Sequence, residues 1–145
     1  MTEARTNALL GQLLIHHYRS LPMFLMEAAP WTHRGDQNAT EVLLDIVAGQ
    51  KEMSGRIAAE LSRRGCSIDT GEYEMDYLDL HFLALDFLLQ RLIETQQQEV
   101  VSIGQITTQL EDDPPAFVLA KESLGAAKGY LQSLEELLPK VSVEA

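Results

Sequence analysis

Apolar residues recur three or four positions apart in four long stretches of the chain. This spacing places them on one face of an α-helix, whereas alternation at every second position would indicate a strand. The stretches run from about Thr2 to Ala28, from about Asn38 to Leu61, from about Tyr73 or Met75 to Leu110, and from about Pro114 to Leu138. The sequence contains no strand-like alternation of useful length, so the pattern predicts an all-α protein with four helices.

Glycine and proline residues indicate where these helices break or end. Pro22 lies inside the first stretch and should kink that helix, because proline lacks a backbone donor. Gly65 supplies a C-terminal stop for the second helix, and the aperiodic segment Cys66–Glu74 is predicted to connect the two halves of the protein. Asp112–Pro115 ends the third helix and begins the fourth with prolines suited to a first turn, and Pro139 closes the fourth.

The stretch Pro30–Asp36 interrupts the helical pattern and is predicted to form a loop. Either Asp36 or Asn38 is expected to cap the second helix. The simpler interpretation of Trp31, His33 and Arg34 is a turn that closes one end of the protein. A recognition role is the alternative, because binding groups often lie on loops.

The third predicted helix carries apolar residues on more than one face. Leu78 lies on its main apolar stripe. Four other apolar residues lie off that stripe: Leu80, Leu83, Ala84 and Phe87. A helix that is apolar on two sides must be buried on two sides. Its second cover is either the connecting segment or another subunit, so we expect a homodimer that uses this face and part of the first helix.

Length and charge narrow the class of protein. A chain of 145 residues is expected to form a single domain, residues 1–145. Its 22 acidic and 11 basic residues give a net charge of −11, which disfavours nucleic-acid binding. No uncharged apolar run approaches the roughly 20 residues of a membrane span. The lone Cys66 excludes an intrachain disulfide and fits a reducing compartment, so we expect a cytoplasmic protein.

The stretch Leu44–Leu61 resembles the second helix of ferritin-like proteins such as rubrerythrin and bacterioferritin. That helix carries Glu-x-x-His on its inward face, four residues before an apolar position, because the spacing places both ligands on one side. With Ile57 as the apolar landmark, the two ligand positions fall on Gln50 and Met53. Neither side chain is a good iron ligand.

The stretch Tyr130–Leu137 is similar to the end of a ferritin-like fourth helix. There the second Glu and His positions fall on Ala127 and Tyr130. A shifted register gives Glu122 and Gly125, which keeps the acid and loses the imidazole. The resemblance implies a ferritin-like antiparallel four-helix bundle with a connecting segment between helices two and three, and it implies that the usual di-iron ligands are lost.

Four polar residues also fall on inward positions of the helical repeat: His17, Gln50, Gln96 and Glu99. The simpler interpretation is a hydrogen-bonded network within the core. The alternative is a reshaped pocket for iron or manganese with His17 and Glu99 as ligands. Glu52 and Glu122 would then complete the ligand set.

The leading functional hypothesis is a non-catalytic, cofactor-free bundle that acts as a homodimeric structural or protein-interaction module with an unknown protein partner. The alternative is an atypical metal-binding protein or a di-metal oxidoreductase with a non-standard ligand set. A third hypothesis is the binding of a small apolar ligand in the core. Met53, Gly125 and Ala127 would leave adaptable space there.

Overall fold

The structure, a computed structural model, describes residues 2–28, 37–82 and 85–138, with the backbone alone at positions 28, 79, 81, 82, 85 and 86. Within these residues it contains five α-helices and no strand, which confirms the all-α prediction. The α-helices are α1 (Glu3–Tyr18), α2 (Leu21–Met23), α3 (Gln37–Arg63), α4 (Leu85–Gln109) and α5 (Pro114–Glu135). A π-helix follows at Phe24–Ala28, and a 3₁₀-helix lies at Met75–Phe82. The long helices α1, α3, α4 and α5 each overlap one of the four predicted segments.

The predicted loop Pro30–Asp36 lies outside the described residues, and so do Trp31, His33 and Arg34 within it. Asp36, one of the two candidate caps for the second predicted helix, also lies outside them. Asn38, the other candidate, is not a cap, because α3 already includes Gln37.

The first predicted segment forms two helices instead of one kinked helix. α1 ends at Tyr18, and the Ser20 side chain caps α2 by accepting a hydrogen bond from the Met23 backbone N–H at 3.2 Å. Pro22 lies in the first turn of α2, where a backbone N–H has no intrahelical acceptor. The expected kink at Pro22 is therefore wrong. The helix instead breaks at Arg19–Ser20, where the serine caps α2 and where a continuous helix would bring the Pro22 ring against the Tyr18 carbonyl.

The third predicted segment becomes α-helical later than its apolar pattern indicated. Met75–Phe82 is a 3₁₀-helix, and α4 begins only at Leu85. Side chains turn by about 120° per residue in a 3₁₀-helix and by about 100° in an α-helix, so one apolar stripe cannot continue through both. Leu78 is 58% exposed, and its expected place on the buried stripe is wrong.

The end of α3 and the start of α5 follow their sequence signals. Gly65 has a φ of +77°, and the Cys66 N–H donates a hydrogen bond to the Leu61 carbonyl at 3.0 Å. This is a Schellman motif, in which glycine supplies the left-handed residue that ends a helix. Asp113 caps α5 by accepting a hydrogen bond from the Ala116 N–H at 3.3 Å.

Contacts between α3 and α5 show that these helices run in opposite directions. The Arg64 guanidinium, just after α3, donates two hydrogen bonds of 2.8 Å to the Asp113 carboxylate at the start of α5. It also donates one of 2.7 Å to Glu60. Earlier in α3, Gly49 lies against Tyr130 near the end of α5.

α1 and α4 are also antiparallel neighbours. Arg5 donates a hydrogen bond to the Gln109 side chain at 2.8 Å, and His16 lies 2.7 Å from Glu99. The turn at residues 110–113 joins α4 to α5 as an antiparallel hairpin. It follows that α1 and α5 point one way while α3 and α4 point the other.

Two apolar clusters fill the space between the long helices. The first lies near the start of α1 and includes Leu10, Ile57 and Ile106. The second lies toward the other end and includes Leu43 and Leu89. Among the described residues, none of the helices combines the length and the apolar character needed to cross a membrane.

Candidate functional site

Three buried polar side chains lie between the two apolar clusters, and we call them the polar layer: His17, Gln50 and Gln96. Each is 2% or 3% exposed. Along α3, for example, Gln50 follows Ile46 of the second cluster and precedes Met53 of the first. The layer occupies the level of the bundle at which the ferritin-like resemblance places a metal centre, so its contacts decide what the interior can do.

His17 is the titratable residue of the polar layer, and its pKa is strongly shifted. Burial, reinforced by the neighbouring charge of His16, lowers the pKa of His17 from 6.5 to about 4. The imidazole is therefore neutral at pH 7. Its Nε2 atom makes no hydrogen bond within the described part of the chain. A buried neutral imidazole with an unpaired nitrogen is a candidate ligand, provided that other ligands lie beside it.

Glu99 contacts the other histidine, His16. His16 Nδ1 lies 2.7 Å from a Glu99 carboxylate oxygen, and the two side chains are 26% and 19% exposed. Burial by itself lowers the pKa of His16, but the hydrogen bond and charge of Glu99, together with the charge of Glu74, outweigh it and raise the pKa. The contact joins α1 to α4 at the edge of the interior, and it is an ion pair when His16 is protonated.

Gln50 is held by a hydrogen bond from the cap of α2. The Ser20 hydroxyl donates to Gln50 Oε1 at 2.7 Å, and the same oxygen of Ser20 accepts from the Met23 N–H. One buried serine therefore serves both as a helix cap and as the partner of an inward amide. The Gln50 oxygen is engaged by this contact, where a metal-binding relative would present a carboxylate.

Gln96 links α4 to α5. Its Nε2 atom donates a hydrogen bond to the Ala127 carbonyl at 3.0 Å. Ala127 is 1% exposed, and its methyl group belongs to the first apolar cluster. A position at which the resemblance places a glutamate therefore offers only a methyl group, and the glutamine bonds to the backbone there.

Tyr130 packs against a glycine of α3. A Cβ atom built on Gly49 would lie 2.1 Å from the Tyr130 hydroxyl oxygen and 3.1 Å from the Cζ atom. The ring therefore needs a residue without a side chain at position 49. Burial, with a smaller effect of the Glu52 charge, raises the pKa of Tyr130, so the phenol stays protonated at neutral pH.

The alternative ligand set is not brought together. Glu52 and Glu122 are exposed on the outside of α3 and α5, and Glu122 pairs with Arg56. His17 and Glu99 are therefore left without these two acids. Within the described residues, no group of three or more His, Cys, Asp and Glu side chains is arranged to hold a metal ion.

The volume of a cavity in the core tests the hypothesis that the protein binds a small apolar ligand there. An enclosed apolar cavity in the second cluster, lined in part by Leu25, Leu43 and Leu134, has a water-accessible volume of about 10 Å³. Pockets for small molecules are typically about 300–1,000 Å³. Gly125 is exposed on α5 and does not open the core. This cavity therefore does not hold a small ligand.

Three contributors to the site were missed by the sequence reasoning: His16, Ser20 and Gly49. His16 sits about 100° from His17 around the helix, which indicated an edge position but not its partner. The Ser20–Pro22 spacing could have signalled a helix start, because serine caps and first-turn prolines occur together. No local signal distinguished Gly49 from a solvent-exposed glycine.

Comparisons with known proteins give no match at a significant level. No protein-family model, no curated protein and no solved structure matches the chain. The chemistry of the site is therefore inferred from the contacts of its own residues.

Proposed function

We propose that this chain is a ferritin-like four-helix bundle without a di-metal centre, and that it acts as a homodimeric structural or protein-interaction module. The helix directions support the ferritin-like part. α1 and α5 are parallel and α3 and α4 are parallel, so the connection between α3 and α4 must return along the length of the bundle. A single long crossover of this kind is the connection used in ferritin-like bundles.

The observation that carries the proposal is how the four expected ligand positions are occupied. Gln50 accepts a hydrogen bond from a serine, and Met53 is 8% exposed within the first apolar cluster. Ala127 contributes a methyl group, and Tyr130 closes onto a glycine. A di-iron site needs several carboxylates that converge between helices, and these residues replace them with packing and hydrogen bonds.

The expected dimer interface on the third predicted helix needs revision before it can be tested. Leu80 is half-buried against the bundle's own second cluster. Leu83 and Ala84 lie outside the described residues, whereas Phe87 is 61% exposed on α4. Of the interface expected on the third predicted helix, the outer surface of α4 therefore remains.

Elemental analysis of the full chain, purified without chelators from cells supplied with iron and manganese, tests the metal-free part. We expect well below one metal ion per chain. The measurement is repeated on His17→Leu, which removes a buried imidazole whose Nε2 atom has no partner among the described residues. Stoichiometric iron or manganese that disappears in this variant would overturn the proposal and establish the metal-binding alternative.

A further inference from the structure

The exposed charges of this acidic protein are distributed unevenly over its helices. Six of the 13 exposed residues of α3 and four of the ten of α5 are charged, all within described stretches. On α4, over the described stretch Phe87–Gln109, only one of nine exposed residues is charged, Glu94. Its carboxylate lies 3.8 Å from Arg91, which offsets the charge.

α1 extends the same charge-poor surface, with Arg5 at one edge and the His16–Glu99 pair between the two helices. No Asp, Glu, Lys or Arg occurs from Thr6 to Tyr18. α1 lies beside α4, so the exposed residues of the two helices form one outer surface. We call it the neutral face and define it by six exposed residues: Ala8, Gln12, Phe87, Gln98, Val101 and Gln105.

The side chains of the neutral face suit a contact with an identical surface. Phe87 and Val101 are large apolar residues that are 61% and 60% exposed. Gln12, Gln98 and Gln105 carry amides that both donate and accept hydrogen bonds, so a glutamine can pair with its own symmetry mate. Depletion of charge, with apolar residues among neutral polar ones, is typical of the centre of protein interfaces.

We propose that the neutral face is the surface on which a second copy of this chain docks; this rests on the homodimer in the proposed function and names its interface. Two copies with a net charge of −11 repel each other, and the repulsion is smallest where charges are fewest. A basic partner would instead be steered toward the acidic surfaces.

The area of the neutral face indicates how strongly two copies should bind each other. The α4 ridge from Phe87 to Thr108 is about 30 Å long, the stretch Thr6–Tyr18 of α1 beside its later part is about 18 Å long, and each helix is about 10 Å wide. Each copy would then contribute about 500 Å², in the range of weak, transient interfaces. The dimer should therefore be reversible at micromolar concentrations.

Sedimentation velocity of the full chain over a micromolar concentration series tests the proposal with two matched variants. Val101→Glu places a charge on the neutral face, and Val118→Glu places the same charge on α5, where Val118 is 51% exposed. We expect Val101→Glu to weaken dimerisation about tenfold or more, and Val118→Glu to leave it unchanged. Far-UV circular dichroism checks that both variants remain folded.

The outcomes separate this inference from the proposed function. A wild-type dimer that persists in Val101→Glu would overturn the neutral face and leave the homodimer intact. A wild-type monomer at all concentrations would overturn both, whereas bound metal would overturn only the metal-free part. Added salt should strengthen the wild-type dimer, because it screens repulsion between like charges. Dimerisation that weakens with salt would indicate pairing of opposite charges and would also refute the neutral face.

Discussion

Gly49 allows a direct test of how tightly the interior is closed next to Tyr130, the position at which the ferritin-like resemblance places a histidine. The perturbation is Gly49→Ala, and the matched control is Gly55→Ala in the same helix. Both glycines lie inside α3, so helix propensity alone favours each alanine by about 1 kcal/mol. A Cβ on Gly55 would meet no atom within 4 Å.

At Gly49 the new methyl group would lie 2.1 Å from the Tyr130 hydroxyl oxygen and 3.1 Å from its Cζ atom. The ring must therefore withdraw, and overpacking of this kind costs about 1–3 kcal/mol. After the propensity gain, Gly49→Ala should range from neutral to destabilising by about 2 kcal/mol. Gly55→Ala should stabilise by about 1 kcal/mol.

Urea unfolding followed by far-UV circular dichroism measures both free energies. Repeating Gly49→Ala in a Tyr130→Phe background removes the closest atom, so the cost of the alanine should shrink and the two sites should be coupled. Equal stabilisation by the alanines at positions 49 and 55 would refute the close approach of Tyr130 to α3.

Two further predictions concern the histidines. The folded pKa of His17, about 4, lies below its unfolded value of 6.5, so stability that is fully present above pH 6.5 is lost as the pH falls toward 4. This loss should reach about 3 kcal/mol in urea titrations and should be absent in His17→Leu. The folded pKa of His16 is raised, so its contribution is fully present below pH 6.5 and is lost as the pH rises through the folded value. Glu99→Gln should remove this loss, and an unchanged pH profile would contradict the ion pair.

Burial was the property that the sequence predicted best. The inward positions of His17, Gln50 and Gln96 follow from the phase of the helical repeat, because a side chain every 3.6 residues returns to the same face. The helical spacing of buried apolar residues also continues across the break after α1. Leu21 and Phe24 continue the apolar stripe although a new helix begins there, which is why one long helix was expected.

The contact partners of these side chains were harder to predict, because they depend on the axial register between neighbouring helices. The repeat indicates only that Glu99 faces inward, and the register between α4 and α1 decides whether it contacts His16 or His17. The same limit applies to Gly49, since its importance comes from a ring 81 positions later in the sequence. Local signals therefore predicted the helix end at Gly65 and the boundary at Asp112–Pro115, but they missed the Ser20 cap and the cross-helix contacts.

The polar layer joins the helices in pairs, by separate hydrogen bonds. Ser20–Gln50 links the segment after α1 to α3, and Gln96–Ala127 links α4 to α5. A metal centre would fix the alignment of all four helices at one point. Here each pairwise bond would be lost if its two helices slipped past each other, so the layer specifies register even where it adds little stability.

Two equally buried glutamines, Gln50 and Gln96, should respond in opposite ways to replacement by leucine. Gln50→Leu deprives the buried Ser20 hydroxyl of its acceptor and should cost about 1–3 kcal/mol. Gln96→Leu leaves only a helical carbonyl without an extra donor, so it should be neutral or stabilising. Urea unfolding of the two variants decides the matter. If both lose the same free energy, burial of leucine rather than the loss of the hydrogen-bond partner governs the stability of the layer.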